Sequence, residues 1–320
     1  MRIAVIVNTT ARLYAARPRL VGDLRAACAA SPGVAVHETG TLAALEATAK
    51  AIAARGTDLV VLSGGDGTAM AGLTALARAF GEDRLPRLAL LPGGTVATVA
   101  RNWGMSGDPR TLLSRLLRDR DDLRFTPRPT LRVTGTMGGQ VEERLGFIFG
   151  TGLVAGFFDV YYAAGARGYA GAARIAARIF AQSFWGGPLA RRVLDPLPCT
   201  IEVEGRRLAP EAWSLVCAAV VRDLGIHMLV TYRAGEDPAR PHLVASPLPS
   251  GQLGPRAPLV LAGRRIGGRD HFDDLARSFV VRFPGAPGPY VLDGEVLRAE
   301  SVAVSAGPPI LVAAAPAARG

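Results

Sequence analysis

A short apolar run, Leu59-Val60-Val61-Leu62, ends in Ser63-Gly64-Gly65-Asp66-Gly67-Thr68. Behind it an amphipathic pattern places Met70, Leu73, Leu76 and Phe80 on one face. The order predicts a buried strand, a glycine turn and a helix. A strand that feeds directly into a helix is a βα unit, and repeated units build a parallel sheet. Glycines let backbone N–H groups approach a phosphate with no Cβ in the way, and a helix N-terminus adds partial positive charge there. Asp66 would repel a bare phosphate, so it points to a bridging Mg2+, to proton transfer or to bracing of the turn. The stretch is not a Walker A loop, because no Gly-Lys-Ser/Thr follows, and Gly-x-Gly-x-x-Gly is also absent. The plain alternative is an ordinary Asp-Gly turn.

The same unit recurs along the N-terminal part. Arg2 to Asn8 reads as a strand with a polar end, followed by Arg12. Ligands of open α/β sheets lie outside the carboxyl ends of strands, which places Asn8 and Arg12 well for a phosphate. A helix over Pro18–Ala30, a strand over Val34–Thr39 and a helix from Leu42 to Ala54 closed by Gly56 come next. Leu88 to Thr95 then repeats strand, glycine turn and hydroxyl, through Pro92-Gly93-Gly94-Thr95.

The chain has 320 residues and 49% hydrophobic content, enough for two packed domains. No apolar run is long and uncharged enough to span a bilayer, and Met1 to Val5 runs straight into a strand pattern, so neither a membrane span nor a signal peptide is expected. Cys28, Cys199 and Cys217 are few and scattered, which fits a reducing cytosol and argues against disulfides or cysteine-held zinc. The net charge is +10, carried by arginine, since Lys50 is the single lysine. This is either a compositional bias toward arginine or an attraction to anionic partners such as phosphorylated substrates or acidic headgroups. Aromatics make up 6% and form no basic–aromatic repeat, so nucleic acid is not expected.

Gly64-Gly65-Asp66-Gly67-Thr68 and Leu91-Pro92-Gly93-Gly94-Thr95, with Ala100-Arg101 behind, resemble the diacylglycerol kinase catalytic-domain family, which includes bacterial lipid kinases and sphingosine kinases. Thr39 matches a nucleotide-contacting threonine of the family and Asn8 the asparagine of its first-strand motif. The late Tyr290-Val291-Leu292-Asp293-Gly294-Glu295 matches its Asp-Gly-Glu, although alone that triplet would be a hairpin turn. The resemblance implies an α/β plus all-β chain: a phosphofructokinase/NAD kinase-like nucleotide domain over residues 1–126 and a C-terminal β-sandwich lipid-substrate domain over 127–320. It also implies that the last strand returns to the first domain. Asn8, Arg12, Thr39, Gly64, Gly65, Asp66, Gly67, Thr68, Gly94 and Thr95 would bind ATP. Mg2+ would be held with help from Asp66 or Asp293, and Glu295 would be the first choice for proton acceptor, ahead of Asp293 and Asp66.

Two departures stand out. Thr9 replaces the family's proline, and Ala97-Thr98 replaces an Asn-Asp pair after Gly94-Thr95, with Asn102 one helical turn on as a candidate to compensate. The expected activity is ATP-dependent phosphorylation of a diacylglycerol-like or sphingoid lipid. The protein would be cytoplasmic and peripheral to the inner face of the membrane, with a homodimer left open. The rivals are a kinase of NAD or a sugar phosphate, and a nucleotide- or membrane-binding protein impaired in catalysis through Ala97.

The C-terminal part reads as mostly strands: Leu131–Thr134 and Glu143–Phe149 around a turn at Gly135–Gly139, then Thr200–Val203, Trp213–Val221, Met228–Tyr232, His242–Ala245, Phe279–Phe283, Ser301–Ser305 and Ile310–Ala314. Gly146 to Gly152 resembles the family's glycine-rich entry to a helix. Val160 to Trp185 reads as one long helix of aromatics and arginines, either packed on the sandwich or facing a membrane. His227, His242 and His271 lack metal-ligand spacing, and Gly235-Glu236-Asp237-Pro238 is a poor match to the family's Asp-rich Mg2+ turn. The final Ala-Pro-Ala-Ala-Arg-Gly reads as disordered.

Overall fold

The computed structural model describes residues 1–94, 96–166 and 168–314; Thr95, Arg167 and the final six residues lie outside it. In chain order the first part holds β1 (Ile3–Asn8), α1 (Arg12–Ala16), α2 (Pro18–Ala29), β2 (Val34–Thr39), α3 (Leu42–Arg55), β3 (Leu59–Gly64), α4 (Asp66–Phe80), β4 (Arg87–Pro92), α5 (Thr98–Asn102), α6 (Pro109–Arg118) and β5 (Phe125–Arg128). Next come β6 (Leu131–Met137), β7 (Gln140–Gly146), β8 (Ile148–Gly152), α7 (Leu153–Ala163), α8 (Gly168–Ser183) and α9 (Pro188–Leu194). Short strands β9 (Leu197–Pro198), β10 (Thr200–Val203), β11 (Arg206–Arg207) and β12 (Ala212–Trp213) lead to β13 (Leu215–Ala219) and β14 (His242–Ser246). The chain ends through α10 (Ser250–Leu253), α11 (Ala257–Leu261), β15 (Phe272–Leu275), β16 (Ser278–Arg282), β17 (Gly288–Leu292), β18 (Glu295–Ala299), β19 (Ser301–Ala306) and β20 (Ile310–Ala313).

The chain divides into two compact units, one of residues 1–128 with 308–320 and the other of 129–307. In the first, a six-stranded sheet runs β2-β1-β3-β4-β20-β5, with β1 to β4 parallel and β20 parallel to β4. β3 is buried along its whole length, as expected for a strand covered on both faces. The helices start and stop on local signals. Pro18 opens α2, the Thr41 hydroxyl accepts from Ala44 N–H to cap α3, Gly56 closes α3 at φ +66°, and Asp108 caps α6 by accepting from Thr111 N–H.

The second unit contains two six-stranded sheets, β11-β10-β16-β19-β6-β7 and β15-β14-β13-β8-β17-β18. Phe149 of β8 meets Phe279 of β16 edge-on at 5.6 Å between centroids, so the two sheets share a sandwich core. The helices α7, α8 and α9 are inserted between β8 and β9 and bury Tyr161, Ile175, Ile179 and Val193 in a cluster with Leu215 and Val244.

Three sequence expectations change here. Val160 to Trp185 is two helices, because the chain breaks between Ala163 and Gly168, where Gly165 and Gly168 take φ of +59° and +71°. Met228 to Tyr232 forms turns instead of a strand, tied to the core where the Thr231 hydroxyl donates to the Val221 carbonyl. Gly135 lies inside β6, and the hairpin turn is only Gly138-Gly139, both at positive φ.

A buried polar knot fixes the irregular 220–241 stretch. Asp273 on β15 accepts from the Tyr232 hydroxyl at 3.2 Å and pairs with His242 Nε2 at 2.8 Å and His271 Nε2 at 3.5 Å. Burial pushes the Asp273 carboxyl up, but the hydrogen bonds and charges of His242 and His271 outweigh it and hold the carboxyl well below the usual range. A carboxyl depressed in the folded state adds stability that is complete above its unfolded value, about 3.9, and lost as pH falls through the folded value. Asp273→Asn is therefore expected to lower stability at pH 7 by on the order of 3 kcal/mol. It should also flatten the loss of stability below about pH 4 seen in urea melts of the wild type.

Candidate active site

The glycine turn sits at the carboxyl ends of the parallel strands. β3 runs out at Ser63-Gly64 beside Pro92 of β4 and Val7 of β1, and Asn8 is in register with Thr39. Asn8, Thr39, Gly64 to Thr68 and Gly94 therefore share one edge of the sheet. Arg12, exposed, begins α1 just beyond that edge.

The glycines are explained first by packing. Gly93 N–H donates to the Gly64 carbonyl at 2.7 Å, which brings the two turns face to face. A Cβ on Gly94 would overlap the Gly65 backbone, one on Gly65 would come 3.3 Å from Gly94 Cα, and one on Gly93 would lie 2.5 Å from Tyr14 Cε2. Tyr14 is buried, and its hydroxyl makes a short hydrogen bond with the Ser63 hydroxyl. Its neighbour Leu13 donates its N–H to the Gly93 carbonyl at 3.2 Å. Asn8 links β1 to the turn: its Nδ2 donates to Thr68 Oγ1 at 2.8 Å, and its Oδ1 accepts from Thr10 N–H at 3.0 Å.

Asp66 is the first residue of α4, and both its oxygens are engaged. Oδ2 accepts from Thr98 N–H and Oδ1 from Val99 N–H, each at 2.9 Å. The carboxylate thus caps α5 and ties the first turn to the second. Burial pushes its pKa up, against the lowering by the Val99 and Thr98 N–H groups, the Thr98 hydroxyl and Arg101. Of the three roles open to this acid in the sequence, bracing is the one drawn directly in hydrogen bonds. The first-turn N–H groups of α4 have no acceptor within their own helix and lie at its positive end, as a phosphate requires.

Ala97 precedes α5 in the left-handed region, at φ +50° and ψ +53°. Asparagine adopts that region far more readily than alanine, a physical reason for asparagine at this position. Asn102 Nδ2 donates to the Thr98 carbonyl at 2.9 Å, within its own helix. Thr95 lies outside the described residues.

The other predicted residues belong to the second unit. Asp293 and Gly294 form the two-residue turn between β17 and β18, with φ of +49° and +86°, the requirement of a type I′ hairpin. The Asp293 carboxylate is also engaged at both oxygens, accepting from Phe147 N–H at 2.9 Å and Ile148 N–H at 3.0 Å. Tyr162 of α7 donates its hydroxyl to the Gly294 carbonyl at 2.6 Å, and Phe158 packs beneath the glycine. The turn is thus held from two sides, and Glu295 stands exposed at its end. Partial burial pushes the Glu295 pKa up, Arg144 pulls it down and Glu142 pushes it up again. The contacts of Tyr14, Tyr162 and Arg144 at these turns are not legible in the sequence. Only the spacing of Tyr162 on an aromatic helix after a glycine-rich strand hinted at a role.

Gly94→Ala is expected to destabilise by about 1–3 kcal/mol, because two backbones must part. Ala97→Gly is expected to stabilise by about 0.5–1 kcal/mol, by relief of the left-handed alanine. Urea denaturation of the two variants beside the wild type reads both signs.

Residues 2–123 match the diacylglycerol kinase catalytic domain model. No curated protein sequence matches the chain significantly. Among solved structures, a diacylglycerol kinase from Bacillus anthracis str. Sterne superposes at TM-score 0.63 and 17% identity, over 98% of this chain and 97% of that one. A second structure from the same organism gives TM-score 0.67 at 17% identity, over 98% and 96%. Yeast NADH kinase complexed with NADH gives TM-score 0.52 at 13% identity, over 98% and 83%. Such distant likenesses speak to the fold: an NAD kinase-like α/β unit combined with a β-sandwich. Residues 2–123 are thus similar to the diacylglycerol kinase catalytic domain, a likeness that covers 122 of the 320 residues.

Proposed function

We propose that the protein is an ATP-dependent lipid kinase, transferring the γ-phosphoryl group to a hydroxyl of a diacylglycerol-like or sphingoid lipid. The observation that carries the proposal is the glycine turn at the start of α4, at the carboxyl edge of the parallel strands, inside the segment that matches the family. Phosphoryl transfer asks little covalent chemistry of a protein; it needs charge neutralisation, in-line placement and a proton acceptor. Backbone N–H groups of Gly65 to Thr68 would hold phosphate oxygens, with the Thr68 hydroxyl already fixed by Asn8. Thr39, Arg12, Gly94 and Thr95 would complete the nucleotide contacts.

Mg2+, when bound, would supply charge neutralisation between phosphate oxygens. Among the described residues no group of three or more His, Cys, Asp or Glu side chains is arranged to hold an ion alone. The ion would be held largely by phosphate oxygens, with Asp66 or Asp293 adding a carboxylate.

Glu295 is assigned the proton from the acceptor hydroxyl. Asp66 and Asp293 each spend their carboxylate on two backbone N–H groups, whereas Glu295 does not, and its raised pKa brings it closer to the working pH of a general base. A base works in its ionised form, so the rising limb of kcat/KM against pH should lie above the ordinary glutamate value. Glu295→Gln should lower kcat by about 10²–10⁴-fold with unchanged stability. Asp66→Asn should behave differently: the new amide must point an N–H at an N–H of α5, so stability falls by about 1–3 kcal/mol along with activity. Equal stability of Asp66→Asn and wild type would remove the bracing role.

The deciding assay is radiolabelled ATP with micelles of diacylglycerol, sphingoid base or phosphatidylglycerol, beside NAD and sugar phosphate. Label in a lipid is expected. Label only in NAD or sugar phosphate would overturn the choice of acceptor. One observation favours a second reading, a nucleotide-binding protein impaired in transfer: Ala97 offers no side-chain hydrogen bond at the turn. ATP binding without ADP release, with every lipid, would select it.

A further inference from the structure

Phe184 and Trp185 are 61% and 67% exposed, side by side in the turn between α8 and α9. Fraying does not account for this. Gly187 N–H donates to the Gln182 carbonyl and Leu189 N–H to Gln182 Oε1, both at 2.9 Å, so the turn is fixed. Phe184 is further held edge-on against Phe180 at 5.0 Å. The fold therefore displays two large aromatics from a well-bonded corner, where a polar pair would be expected.

The helix leading to that corner is one-sided in charge. α8 turns Ala172, Ile175, Ile179 and Ser183 inward and exposes Tyr169, Ala170, Arg174, Ala177, Arg178 and Ala181. Residues 160–194 contain five arginines and no aspartate, glutamate or lysine. Arg192 is paired with Asp159 at 2.5 Å, but among the described residues neither Arg174 nor Arg178 has a carboxylate within ion-pair distance. The exposed face is thus small and apolar along its middle, cationic on one flank and aromatic at its end.

We propose that this face of α8 and the Phe184-Trp185 corner is a docking surface for an anionic lipid bilayer. The two aromatic rings would enter the boundary between headgroups and acyl chains, and Arg174 and Arg178 would meet lipid phosphates. Charge complementarity selects this occupant. A second copy docking on the same face would bring arginines against arginines, because a two-fold interface is self-complementary. Spanning is not implied: no helix among the described residues is long and apolar enough to cross a membrane. The proposal deepens the lipid-kinase reading, on which its biological purpose rests, by naming where the chain meets the surface that holds its substrate.

The chain carries its own reporter. Of the three tryptophans, Trp103 and Trp213 are buried at 7% and 0% exposure, so only Trp185 faces solvent. The full-length protein is titrated, without nucleotide, with phosphatidylglycerol/phosphatidylcholine vesicles and with pure phosphatidylcholine vesicles. Emission is followed together with co-sedimentation. The anionic vesicles are expected to shift emission to the blue and to bind the protein, with both effects suppressed by salt. Arg174→Glu/Arg178→Glu should weaken partitioning at least about tenfold. Phe184→Ser should weaken it with the reporter intact, and Trp185→Ser, followed by sedimentation, should do the same. All four side chains are exposed, so circular dichroism should be unchanged.

Equal binding of the variants and wild type, or no preference for the anionic vesicles, overturns the proposal. So does a blue shift in the absence of lipid that grows with protein concentration and with sedimenting mass, which would assign the corner to a second copy. Phosphorylation of a short-chain, monomerically soluble diacylglycerol is measured in parallel. Its loss would count against the kinase reading alone, since vesicle binding is read without turnover.

Discussion

Two backbone hydrogen bonds to one carboxylate, from Thr98 N–H and Val99 N–H to Asp66, tie together the parts of the first unit that matter most. Asp66 begins α4, while Thr98 and Val99 begin α5, so one side chain couples two helix starts. The Gly93 to Gly64 hydrogen bond then closes the two turns on each other, and the close approach excludes any side chain at Gly94. What remains at the carboxyl edge of the sheet is a surface of backbone N–H groups with partial positive charge. Its shape is set by the packing of the two turns against each other. Preorganisation of that kind is what phosphate binding needs, because nothing has to be ordered at the moment of binding.

The second unit repeats the device. Asp293 takes Phe147 and Ile148 N–H groups as Asp66 takes those of Thr98 and Val99, and in each case two adjacent amides end on one acid. Both aspartates are therefore structural in their contacts before any chemistry is asked of them. Glu295 has no comparable hold and stands at the surface beside Arg144 and Glu142. This division is what favours Glu295 in the proposed transfer. An acid that must brace a turn cannot change its charge freely without loosening what it braces.

Much of the first unit could be read from its residues, because each strand there is short, apolar and punctuated by glycine or a polar end. The positions of β1 to β4 and of α2 to α4 follow from that punctuation. The reason for the glycines did not follow, since it lies in the pairing of β3 with β4, which sets Gly64 beside Pro92 and the two turns face to face. The left-handed Ala97 was equally out of reach: alanine signals a helix, and only the demands of the turn place it at φ +50°. In the second unit the apolar periodicity of residues 160–185 ran across Gly165 and Gly168, and the break became visible only through their positive φ. Likewise, His242, Asp273 and Tyr232 are far apart in sequence and show no spacing pattern, yet they meet because β14 pairs with β15.

The central claim is that the backbone of the glycine turn is built to hold phosphate. Amide hydrogen exchange of the full chain, resolved over residues 64–68 with and without ATP, tests it most directly. The account predicts marked slowing at Asp66, Gly67 and Thr68 on addition of ATP, and loss of that slowing in Asp66→Ala, whose turns are no longer tied. Unchanged exchange at these three amides in the wild type, with ATP bound and protection appearing elsewhere, would contradict it.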